Sequence, residues 1–76
     1  MPNANLEEMD LSGVDLYYSN LTGADLNRAA LIDAVLSGAN LSGADLSQAD
    51  LRGVILKGTR FCQTKMSSGK KNNTDC

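Results

Sequence analysis

From Leu6 onward a large apolar residue returns every five positions: Leu6, Leu11, Leu16, Leu21, Leu26, Leu31, Leu36, Leu41, Leu46, Leu51, Leu56, Phe61 and Met66, thirteen in register without a slip. Two places before each stands a small or apolar residue, among them Ala24, Ala29, Ala34, Ala39, Ala44 and Ala49. A period of five fits neither common element. On a helix, steps of about 100° per residue scatter such a series around the cylinder. On an unbroken strand side chains alternate faces, so an odd period sends successive leucines to opposite sides.

One arrangement reconciles the pattern. Three residues, such as Ala44-Asp45-Leu46, run extended, so the first and third point the same way and the middle one points opposite. The next two residues turn the chain by a right angle. Four such units close a square coil of twenty residues, and coils stack at the spacing of paired strands, about 4.8 Å. Leucines and alanines point inward; the middle residues, mostly Asp and Asn, point outward. Gly two places after the centre at Gly13, Gly23, Gly38, Gly43, Gly53 and Gly58 suits a type II turn, which needs positive φ there. The expectation is an all-β stack of about three coils over residues 4–68, with residues 1–3 as a leader and a polar tail over 69–76.

Residues twenty apart then stack in four outward columns: Asn5, Asp25, Asp45 and Lys65; Asp10, Ala30 and Asp50; Asp15, Val35 and Ile55; Asn20, Asn40 and Arg60. The third column breaks the polar rule. Val35 and Ile55 occupy outward positions, Ile32 lies at the adjoining corner, and Tyr17 and Tyr18 flank the lower end. Together these five residues form a candidate protein-contact surface, since exposed apolar patches mark interaction sites. The bland alternative is that single surface hydrophobes are ordinary and that β-branched residues suit strands wherever they lie.

The iterated "ANLSGADLSQADL" and "SNLTGADLNRAAL" resemble the pentapeptide-repeat family. That resemblance implies a right-handed quadrilateral parallel β-helix, the hand coming from the family and not from the period. The tail "FCQTKMSSGKKNNTDC" is similar to the ending of pentapeptide-repeat proteins from cyanobacteria and the thylakoid lumen. Phe61, Cys62, Met66, Gly69, Asn72, Asn73 and Cys76 carry that likeness, while Ser67-Ser68 departs from the usual Pro-Asp. It implies a Cys62–Cys76 disulfide that pins the tail over the last coil. Free thiols in a reducing cytosol and a redox-responsive pair are the competing readings. The compartment follows the cysteines: thylakoid lumen or periplasm if paired, cytoplasm if free.

Little else points to chemistry. The chain has no His, and two cysteines are too few for a zinc site. No glycine-rich strand-to-helix turn offers a phosphate cradle. The expectation is therefore no catalytic residue, no metal and no cofactor. The first ten residues lack the basic and apolar regions of a signal peptide, no segment is apolar enough to span a membrane, and no basic stretch suits nucleic acid. The open first coil, guarded only by Pro2, Glu7 and Glu8, leaves end-to-end association plausible. The function read from these features is a non-catalytic scaffold whose flat walls meet a protein partner or a second copy, with no small-molecule substrate. Two rivals are a DNA-mimic inhibitor of a type II topoisomerase, which the resemblance suggests, and a redox-responsive lumenal or periplasmic protein.

Overall fold

The structure, a computed structural model, describes residues 3–75. The chain winds as a square coil of twenty residues per turn. Parallel pairing joins each middle residue to the one twenty places on: Asn5 to Asp25 to Asp45 to Lys65, Asp10 to Ala30 to Asp50, Asp15 to Val35 to Ile55, and Asn20 to Asn40 to Arg60. These are the four columns expected from the repeat.

Each side of a coil is tied to its neighbour by a short run of backbone bonds. Around Asp45, the Leu26 N–H donates to the Asp45 carbonyl at 2.8 Å, the Asp45 N–H donates to the Ala24 carbonyl at 2.9 Å, and the Arg28 N–H donates to the Ser47 carbonyl at 2.8 Å. Each corner from Leu6 to Leu56 is closed by a bond from the residue three places after the centre, as in Ala29 N–H to the Leu26 carbonyl at 3.0 Å.

Every corner from Glu8 to Gln63 places its second residue at positive φ. Glycine meets that need at six of them, but Glu8, Tyr18, Arg28, Asp33, Gln48 and Gln63 adopt the same left-handed conformation with φ of 55–63°. The geometry of the coil thus overrides residue preference at half of its corners.

The interior is a stack of leucines and alanines. Leu21, Leu26, Leu31, Leu36, Leu41 and Leu46 are fully buried, with Ala24, Ala29, Ala34, Ala39 and Ala44 between them. On the last coil two inward threonines replace alanine. Thr59 Oγ1 donates to the Leu36 carbonyl at 2.7 Å and Thr64 Oγ1 to the Leu41 carbonyl at 2.6 Å, so neither buried hydroxyl is left unpaired.

The two ends differ. At the first coil Leu6, Leu11 and Leu16 are only partly covered and Met9 is half exposed. At the last coil the tail doubles back. Strand β1 (Thr64–Lys65) pairs antiparallel with β2 (Lys71–Asn72), with Gly69 at φ 88° in the reversal. Beyond β2, the Asp75 N–H donates to the Phe61 carbonyl, Asp75 Oδ2 accepts from the Phe61 N–H, and Asn73 Oδ1 accepts from the Gln63 N–H, each at 2.8 Å. The tail thereby satisfies edge groups that a further coil would otherwise occupy.

Candidate functional site

The outward Asp and Asn residues do more than keep the walls polar. At eight positions the side-chain Oδ1 accepts from the backbone N–H two residues on, at 2.9–3.2 Å: Asn5, Asp10, Asp15, Asn20, Asp25, Asn40, Asp45 and Asp50. Each is an Asx turn that satisfies a corner donor no coil neighbour reaches. The Ser12 backbone N–H, then its hydroxyl, hold the Asp10 carboxyl below the usual carboxylate range. Arg52 does the same for Asp50 through its side chain first and its N–H second, the guanidinium meeting the carboxylate at 2.7–3.2 Å. Sequence reading treated these acids only as wall residues. The signal was present: Asp or Asn two places before a Ser or Thr at a turn is the Asx pattern.

This role makes the third column stand out on new grounds. Val35 and Ile55 are directly paired, Ile55 is 48% exposed, and neither can cap a corner. The face they form runs into a corner where Tyr17, Ser37 and Lys57 stack in one row and Tyr18, Gly38 and Gly58 in the next. These six residues line a groove of about 410 Å³. Tyr17 and Tyr18 are 55% and 78% exposed, their rings 5.5 Å apart and inclined by 38°. The Tyr18 ring leans upward onto Gly38, where a Cβ would come within 2.5 Å of it.

Of the five residues expected to form a contact surface, Val35 and Ile55 are neighbours, and Tyr17 and Tyr18 sit at the corner that follows them. Ile32 lies at the preceding corner, half-buried, and does not line the groove. Ser37 and Lys57 do not figure in the surface expected from sequence, and Gly38 and Gly58 figure only as turn residues, although adding twenty to Tyr17 and Tyr18 once and then again leads to all four.

Among the described residues no cysteine is free, and Cys62 is in a disulfide. The pairing expected for it falls on Cys76, which lies outside the described residues, as do Met1 and Pro2 of the leader. Among the described residues no cluster of His, Cys, Asp or Glu could hold a metal ion, and no helix is long and apolar enough to cross a membrane.

The family model for pentapeptide repeats matches residues 1–28 and 29–67, in 8 copies. Comparison with curated proteins finds no match. Among solved structures, the pentapeptide repeat protein Rfr23 from the cyanobacterium Cyanothece 51142 is 39% identical with a TM-score of 0.79, covering 88% of this chain and 44% of that one. A pentapeptide repeat protein of the Arabidopsis thaliana thylakoid lumen is 33% identical with a TM-score of 0.63, covering 86% of this chain and 48% of that one. The chain belongs to the pentapeptide-repeat family, and its fold is that family's right-handed quadrilateral β-helix. It spans less than half the length of these two relatives. The family's members are repeat proteins, generally non-catalytic, of scaffold-like or unknown role.

Proposed function

We propose that this chain is a non-catalytic protein-binding scaffold and that its third face, Val35 with Ile55 and the adjoining Tyr17–Tyr18 corner, is the contact surface. One observation carries the reading. Among the described residues the third column is the only one in which two successive coils replace the capping Asp or Asn, and both replacements are β-branched, Val35 half-buried and Ile55 exposed. A sequence that spends two corner caps to present apolar surface is best explained by a partner for that surface.

A DNA-mimic reading is weaker. Duplex DNA would carry roughly 16 charges along the molecule's 27 Å longest extent. The chain has nine acids against seven bases, and its acid columns are interrupted by Ala30 and Lys65. The redox-responsive reading keeps one observation in its favour, the disulfide at Cys62, and one relative from a thylakoid lumen.

The test is the double substitution Val35→Asn with Ile55→Asn. It restores two corner caps without adding charge, so stability is expected to stay within about 1 kcal/mol of wild type. Binding is expected for the wild type, either to a second copy in sedimentation or to ligands selected from a displayed random-peptide library, and is expected to be lost in the double variant. A wild type that sediments as a monomer and yields no ligand that tells it from the double variant overturns the contact-face reading.

A further inference from the structure

The groove at the edge of the third face gathers backbone donors that the missing caps leave open beside a lysine. With Val35 and Ile55 in the middle positions, the N–H groups of Ser37 and Lys57 have no acceptor among the described residues, and they stack one coil apart. The N–H of Gly58, on the last coil, has none among the described residues either, as at Gly53. Among the described residues the Lys57 ammonium makes no ion pair, as is true of Arg60, Lys65, Lys70 and Lys71, and it is the one cation that lines this groove. Gly38 and Gly58 add no side chain of their own to this backbone, and Tyr17 and Tyr18 wall the groove at its lower end, the Tyr18 ring lying against Gly38.

Tyr18 holds φ at 55°, as the second residue of every corner does, and it is 78% exposed, so its ring stands open to a ligand at the edge of the groove.

Resting on the contact-face reading above, we propose that this corner binds a carboxylate of a protein partner: an Asp or Glu side chain next to an aromatic or large aliphatic residue. The carboxylate takes the place of the missing capping Asp, accepting from the Ser37 and Lys57 N–H groups and facing the Lys57 ammonium. Its apolar neighbour packs on Tyr17, Tyr18 and the Val35–Ile55 strip. Charge-assisted bonds of this type are the stronger class, which favours a carboxylate over a neutral amide. A polyphosphate or duplex nucleic acid would meet Asp15 and Asp33 on the same face and its edge, in a chain of net charge −2, whereas a single carboxylate meets far less repulsion.

The probe is a displayed random-peptide library, selected on wild type and depleted on the Val35→Asn, Ile55→Asn variant. Selected peptides are expected to carry Asp or Glu beside an aromatic or large aliphatic residue. Changing that acid to its amide, or Lys57→Gln in the protein, is expected to weaken binding by about ten-fold or more. The amide resonances of Ser37 and Lys57 are expected to shift on binding, while those of the capped residues Ser12 and Ser42 stay in place. Peptides that need Val35 and Ile55 but carry no acid, and bind Lys57→Gln equally well, overturn the carboxylate while leaving the contact face intact. The absence of any ligand that distinguishes the double variant overturns both. A wild type whose third face is occupied by a second copy overturns the partner assigned here.

Discussion

Side chains in this protein are used for backbone accounting as much as for packing. Eight Asp or Asn side chains each satisfy one corner N–H. For Asp10 and Asp50 the bonded carboxylate is favoured, so the folded-state pKa lies below the unfolded one. Such groups contribute stability above the ordinary carboxylate pKa of about 4, and that contribution is lost as pH falls through the folded value. The thermal midpoint is expected to be flat from pH 7 to about 5 and to fall below about 4. Asp50→Asn, which keeps the corner bond, is expected to shrink that fall; an unchanged acid limb would show that these carboxylates are not the source. At Tyr18 the expectation runs the other way. Asn tolerates the left-handed region, so Tyr18→Asn is expected to raise stability by about 1 kcal/mol in denaturant titration while weakening any ligand of the groove. A clear loss of stability would mean that the ring's packing over Gly38 outweighs its strain.

At the scale of one coil, the leucine centres share the load unequally. Leu36 sits in the middle of the stack and is fully buried, whereas Leu11 lies on the open first coil and is partly exposed. Leu36→Ala leaves a cavity closed on both sides and is expected to cost about 3–5 kcal/mol in equilibrium unfolding. Leu11→Ala removes less buried surface, with room to relax, and is expected to cost about 1–2 kcal/mol. Equal losses would mean that the first coil is covered in solution, by a further coil or by a second molecule.

Over the whole molecule the solenoid is asymmetric, with partly bare leucines at its first coil and a returning tail over its last. The hydrogen bonds between Phe61 and Asp75 and between Gln63 and Asn73 attach that tail, and Cys62 lies between the two contacts. A Cys62–Cys76 bond would close a loop of about 15 residues, worth on the order of 3 kcal/mol. Reduction is expected to speed amide exchange at Asp75 and Met66 and to lower the unfolding midpoint. Intact mass before and after reduction under thiol blocking tests the pairing itself; two blocked thiols in protein purified from its source would remove it and the oxidising compartment with it.

Almost all of the architecture was legible from the chain alone. A leucine every five residues permits few stackings, and the twenty-residue columns follow from the period by addition. Glycine, by contrast, marked only half of the left-handed corners, because the closed coil imposes that conformation on Glu8, Tyr18, Arg28, Asp33, Gln48 and Gln63 as well. Sequence alone also placed Val35, Ile55, Tyr17 and Tyr18 on one side of the molecule. What it could not decide was which backbone groups stay unpaired, since that depends on hydrogen-bond geometry at each corner. Nor could it decide that the tail returns antiparallel to β1, because the non-repeating residues 69–75 have no period to constrain them and take their path from the edge they meet. The repeat determined the coil because each unit repeats the same local solution; the groove and the cap were settled by tertiary structure because each exists where that repetition stops.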